Sequence, residues 1–154
     1  MAYLWLKWIH ILSSTLLLGT GLGIAFFMWL AHLRGDVRVI AATARTVVIA
    51  DACFTAPAVV IQLGSGLWLA HLMGQPLNDF WLLWSLILFA VVGACWLPVL
   101  WLQVRARNLA QAAADRNEPL PAAYYCAMRW WFSLGWPAFI AVIGIFWLMV
   151  MKPA

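Results

Sequence analysis

An imidazole at membrane depth is the first chemical feature of this sequence. His10 lies seven positions into an apolar run that opens at Leu4. Ionisable side chains within such runs are costly and mark functional sites by default. Lys7 stands one helical turn away at i−3, on the same helix face, so a ring nitrogen and an ammonium are expected to point at one pocket. Other soft or nitrogenous donors fall at segment ends: His71 and Met73 close a second apolar segment, and Met149 and Met151 close the last. Antiparallel helices would bring these to similar depth. Two imidazoles from neighbouring helices are a sufficient axial set for a b-type haem, with Lys7 meeting a propionate. The same inventory, His10, His71, Met149 and Met151, suits copper, because thioether and imidazole ligands select Cu(I). Neither spacing is a signature. The plainer readings are a hydrogen bond from His10 to a backbone or Ser/Thr oxygen and a solvated, interfacial His71.

A second pair lies at the other end of the helices. Asp51 precedes Pro57 by six residues and Arg129 precedes Pro137 by eight, so both are expected near the same ends of their segments and to pair as a structural clamp, with His32 close enough to join. Arg is the better bidentate partner for a carboxylate, and an unpaired carboxylate in a membrane is expensive. A proton path or an anionic ligand is the alternative use. The sequence contains no nucleophile–base–acid arrangement, P-loop, dinucleotide fingerprint or Cys-x-x-Cys pair, which sets hydrolytic and nucleotide-driven chemistry aside and names no catalytic residue. Cys53, Cys95 and Cys126 read as small apolar filler.

The elements that must position these residues follow from composition. Of 154 residues 67% are hydrophobic and 9% charged, and the mean hydropathy is +0.95. No soluble globular domain has that balance. Four segments are long enough to cross a hydrocarbon core, which takes ~20 apolar residues: Leu4 to Leu30, Val47 to Leu72, Phe80 to Leu102 and Trp130 to Met151. The expected fold is therefore an all-α, four-helix integral membrane bundle occupying residues 1–154 as one domain. The first segment is too long and carries Lys7 too deep for a cleavable signal, and is expected to stay.

Seven of the nine cations, Arg34, Arg38, Arg45, Arg105, Arg107, Arg116 and Arg129, fall at one end of the helices, with Lys7 and Lys152 at the other. By the positive-inside rule both termini are then on the outer, periplasmic side of a bacterial inner membrane. The basic pI of 9.4 reflects that asymmetry and contact with anionic lipid; no basic-aromatic loop points to nucleic acid.

The Arg34–Arg45 and Gln103–Ala114 stretches lack breakers and are expected to extend the helices as short stalks. Breaks are expected at Gly35-Asp36, at Met73-Gly74-Gln75-Pro76 and at Asn117-Glu118-Pro119-Leu120-Pro121. Pro57, Pro98 and Pro137 fall inside spans and should bend them. Gly19 and Gly23 form a small-xxx-small pair for close helix approach or for a flat ligand. A weak internal repeat is also present: Pro57-Ala58, Gly64 and Trp68-Leu69 recur as Pro137-Ala138, Gly144 and Trp147-Leu148, and Trp5-Leu6-Lys7-Trp8 as Trp81-Leu82-Leu83-Trp84. In that register Leu86 matches His10.

Three stretches resemble the HemJ-type protoporphyrinogen oxidases and the superfamily they share with the CopD copper-resistance domain, above all an uncharacterised integral-membrane branch of it. They are Leu6-Lys7-Trp8-Ile9-His10-Ile11 with His32 one span later, Ala56 to Ile61 leading to Gly66, and Arg129 through Trp136-Pro137 to Lys152-Pro153. The resemblance implies a four-helix membrane fold and a haem b served by His10. The chain departs from the oxidases in helix 3, where Trp84, Ser85 and Leu86 stand in place of a lysine neighbourhood, and before Pro137, where Leu134-Gly135-Trp136 replaces an Asn-Glu pair. The expected function is that of a haem b-binding, electron-transferring membrane protein, with self-association and a quinone or respiratory-chain partner as possible company. A copper-handling protein and a cofactor-free subunit of a larger complex are the alternatives.

Overall fold

The computed structural model describes residues 1–153, and these are wholly helical apart from short turns. Helix α1 spans Ala2–Arg34. Helix α2, Val37–Ala50, continues through a π-helical turn, Asp51–Thr55, into α3, Ala56–Leu72; α4 spans Phe80–Arg116 and α5 Ala122–Met151. Counting α2 to α3 as one rod, four helices are long and apolar enough to cross a membrane. The breaks fall at the three expected clusters, and the arginine-rich stretches are helical as expected.

Each break has a local cause. Gly35 takes φ +73°, the left-handed cap that glycine adopts without a Cβ clash. Asp36 then caps α2, its Oδ1 accepting from the N–H groups of Arg38 at 2.8 Å and Val39 at 3.1 Å. Asn117 closes α4 in the left-handed region at φ 54°, and Pro119 and Pro121 prevent continuation. Pro57 explains the π-helical turn: it has no N–H for the carbonyl four residues back, and Ala56 N–H instead reaches the carbonyl of Asp51, five residues back. Pro98 and Pro137, by contrast, lie inside unbroken α4 and α5. The proline-centred repeat is thus not mirrored in backbone geometry.

Packing is uneven along the bundle. At the arginine-rich end, Ile40, Ala41, Ala44 and Val47 of α2 form an i, i+1, i+4, i+7 stripe. It packs with Ala106 and Ala110 of α4, Tyr124, Ala127, Met128 and Trp131 of α5, and Met28 and Ala31 of α1. Lipid is as apolar as a leucine side chain, so this core is held by close van der Waals fit, which the alanines allow. A second, smaller cluster at the terminal end joins Ala70, Trp81, Leu82 and Leu148. Between the two, the α1/α3 pair and the α4/α5 hairpin stand apart and leave a cleft.

Replacing Asp36 with alanine removes the α2 cap. The expected outcome is a loss of about 1 kcal/mol, read in detergent as a melting temperature lower by roughly 2–4 °C; an unchanged transition would rule out the cap as a contributor.

Candidate functional site

All four rods line the cleft. Its walls include His10, Ser14 and Leu17 from α1, Gln62, Leu63, Gly66 and Leu67 from α3, Leu82, Ser85, Leu86, Phe89 and Val92 from α4, and Val142, Ile145, Phe146 and Met149 from α5. Its cavity volume is about 80 Å³, and it is open on one side. His10 is the one side chain on these walls with a basic nitrogen, and it is half-buried.

The position of His10 is set by one face of α3. Gln62, Ser65 and Gly66 follow i, i+3, i+4 and so present a single strip to α1. His10 Nδ1 lies 2.8 Å from Ser65 Oγ, and the Ser65 hydroxyl donates to the carbonyl of Ile61 at 2.6 Å. With the serine proton spent there, the Nδ1–H must be the donor of the first bond. That assigns the tautomer and leaves the lone pair on Nε2. Gln62 Nε2 donates to it at 3.1 Å, and the Gln62 oxygen accepts from the Ser13 hydroxyl. The ring also rests on bare backbone: a Cβ built at Gly66 would be 3.0 Å from His10 Cε1.

A ring with one N–H tied to a protein acceptor and a basic lone pair on the other nitrogen is the arrangement that metal-ligating histidines use; here that lone pair accepts from Gln62. It equally serves as a hydrogen-bond acceptor or proton acceptor for an apolar ligand. Met149 is the one sulfur on the cleft walls. Leu86, the repeat partner of His10, lines the cleft as well, without chemistry to offer.

The other expected ligands are not brought to this place. His71 is exposed. It lies five residues beyond Gly66, about 7.5 Å further along α3 and turned about 140° from it. Met151 is 63% exposed on the far side of α5, two residues and about 200° from Met149. Lys7 is exposed, its Nζ 5.9 Å from the Tyr3 ring centroid, and it does not line the cleft. Among the described residues no three His, Cys, Asp or Glu side chains converge.

The Asp51–Arg129 clamp is not formed. Asp51 is 1% exposed and takes neutral donors from α4, Gln103 Nε2 at 2.7 Å on Oδ2 and Trp96 Nε1 at 3.4 Å on Oδ1. Arg129 is exposed. It lies two residues from buried Trp131, about 200° around α5, and so faces outward. His32 does not join Asp51 either; its Nδ1 is 3.3 Å from the Tyr124 hydroxyl. The partners that sequence reasoning passed over are Gln62, Ser65, Gln103 and Trp96. The two glutamines did carry a signal, since an amide inside a span must find partners within the protein.

Gly66→Ala is expected to push the His10 ring off Ser65 and Gln62 and to destabilise the protein by about 1–3 kcal/mol. Gly64→Ala, where an added Cβ meets nothing within 4 Å, serves as the control and is expected to be neutral or slightly stabilising. Parallel melting curves check this; equal curves for the two variants would remove Gly66 from the account of how His10 is held.

No curated protein and no solved structure matches the chain. The model of one family, described as "Predicted integral membrane protein (DUF2269)", matches residues 4–153. With four membrane-crossing helices and a match over nearly its whole length, the chain belongs to that family of integral membrane proteins.

Proposed function

We propose that this chain is a membrane redox protein that holds haem b in the cleft, where His10 would hold the iron from one wall and Met149, in the place expected of His71, from another. The observation that carries the reading is the relay from Ile61 through Ser65 to His10 Nδ1, which fixes the ring on the wall of an apolar, four-walled cleft and leaves the basic lone pair on Nε2. The fit is supported further by Gly66, where the missing side chain makes room for the ring, and by the cleft's flat apolar lining. The resemblance to the HemJ-type and CopD superfamily agrees with it. His and Met together are an axial set that raises the potential of a haem relative to two imidazoles and favours electron transfer.

The chain's own residues then have defined tasks. Ser65 orients the imidazole and keeps the proton on Nδ1. Gln62 donates to Nε2 in this structure and would have to release that nitrogen for it to hold the iron. Leu82 lines the cleft and packs with Trp81 in the cluster at its terminal end. When bound, haem supplies one-electron transfer. The asymmetric arginines support an orientation with both termini outside a bacterial inner membrane. The lipid-exposed apolar surface suits a quinone, a respiratory-chain partner or a second copy as the other party to the exchange. Copper is the second reading on the same two donors, His10 and Met149; the remaining members of that set, His71 and Met151, lie outside the cleft.

A reduced-minus-oxidised absorption spectrum of protein purified from haem-replete cells tests the proposal. The expected result is a sharp α-band that is lost in His10→Ala, altered in Met149→Leu and unchanged in His71→Ala. Bound copper without a Soret band would replace the haem reading with the copper one. A featureless, metal-free wild type, or a band that survives His10→Ala, would overturn both.

A further inference from the structure

The buried polar cluster at Asp51 is separate from the cleft, and its hydrogen bonds leave a charge unanswered. Both carboxylate oxygens face N–H donors, one from Trp96 and one from Gln103. The orientation of the Gln103 amide is locked from behind: Trp131 Nε1, which can only donate, reaches Gln103 Oε1 at 3.4 Å. Gln103 must therefore turn its NH₂ toward Asp51. A carboxylic-acid proton on Asp51 would find no acceptor on either partner, so the surroundings are built for the anion. Yet Asp51 has no cationic partner. Among the described residues the one ion pair is Arg116 with Glu118, at 3.9 Å on the surface. An anion buried to 1% exposure at membrane depth with only neutral donors lacks a counter-charge.

The second observation is Thr55. It is 6% exposed, and among the described residues its Oγ1 is the one buried side-chain polar atom without a hydrogen-bond partner. Thr55 follows Asp51 by four residues, one turn further on the same buried face, and both sit in the π-helical turn. Helical threonines ordinarily return their hydroxyl to the carbonyl of the preceding turn. Here the carbonyl of Asp51, one turn back, accepts from the N–H of Ala56, and the Thr55 hydroxyl does not bond to it. The carbonyl of Cys53 also loses its regular donor, because residue 57 is proline. One turn of helix thus gathers a carboxylate, an orphan hydroxyl and a carbonyl that lacks its i+4 donor, all oxygen.

We propose that Asp51 and Thr55, with the loosened backbone of the π-helical turn, form a binding site for one sodium ion. All-oxygen donors select a hard cation. A single carboxylate balances a single charge, whereas divalent ions of this class draw on more carboxylates or keep their waters. Broken or widened helix turns that lend carbonyls to sodium are an established device of membrane proteins. The site does not involve His10 and stands whether or not the cleft takes a haem.

Sodium titration of the detergent-purified protein tests this, with choline chloride holding ionic strength constant and tryptophan fluorescence following the thermal transition. The expected result is a saturable rise on the order of 5 °C at saturating sodium, with potassium weaker. Asp51→Asn, close in shape, is expected to abolish the rise, and Thr55→Val to raise the half-saturating concentration about tenfold. Equilibrium binding of radioactive sodium to the wild type provides a readout that needs no variant and is expected to give one ion per chain. Equal melting in sodium and choline, or a full sodium response in Asp51→Asn, would overturn the proposal. If Asp51→Asn does not fold, the wild type and Thr55→Val decide it: identical titrations overturn the site.

Discussion

In hydrocarbon a polar group has no solvent to fall back on, and the arrangement of this bundle depends on that constraint. His10, Ser13 and Asp51, deep in their spans, are each met by a polar side chain from a neighbouring helix, and these pairs dictate which helix faces which. Ser13 and His10 require the Gln62–Ser65 strip of α3 opposite them. Asp51 requires Gln103 and Trp96 of α4, and Trp131 of α5 completes that group through Gln103. The first set ties α1 to α3; the second ties the middle of the second rod to α4 and α5. Apolar packing fills what these contacts define but cannot select it, since leucine gains little by leaving lipid for a neighbouring leucine.

The two polar sets also account for the uneven core. Around Asp51 the helices carry alanine at successive contact positions, Ala41 and Ala44 on α2, Ala106 and Ala110 on α4, and Ala127 on α5, and their backbones come close. Around His10 the α4 and α5 walls are leucine, isoleucine, valine and phenylalanine apart from Met149 and Ser85, whose hydroxyl returns to the Trp81 carbonyl, so no hydrogen bond draws the α4/α5 hairpin onto α1 and α3. The cleft is the consequence. It persists beside a well-packed half because the cluster of Ala70, Trp81, Leu82 and Leu148 props the hairpins at the terminal end, where Lys152 Nζ also lies 5.1 Å from the Trp81 ring centroid.

Much of this was legible in the sequence. The four spans, the three breaks and the helical arginine stretches follow from apolar length, Gly/Pro/Asn punctuation and helix propensity, all of which act locally. His10 stood out by residue type alone. What the sequence concealed was rotation. Depth can be counted from a helix end, and His71, Met151 and Arg129 were each assigned to a site by depth. Their neighbours at two to five residues' remove, Gly66, Met149 and Trp131, show which way each helix turns its inner face, and none of the three lies on it. Charge pairing misled for a related reason. Arg129 has a long stem that keeps its guanidinium in the polar boundary, whereas Asp51 is short and must take whatever donor α4 presents.

Pro57 connects the two halves. By removing one N–H it converts the turn before it to π geometry, and the extra residue per turn changes the phase between α2 and α3. A regular helix from Val37 to Leu72 would carry the phase of the alanine stripe straight on. On that count Asp51, Thr55, Gln62 and Ser65 would all continue the stripe; the widened turn offsets α3, so that Asp51 faces Gln103 of α4 while Gln62 and Ser65 face His10 of α1. The same turn that sets the His10 strip in register holds Thr55, whose Oγ1 has no hydrogen-bond partner. Register in one site and an unsatisfied oxygen in the other thus meet in one turn, set by a single proline in the middle of the second span.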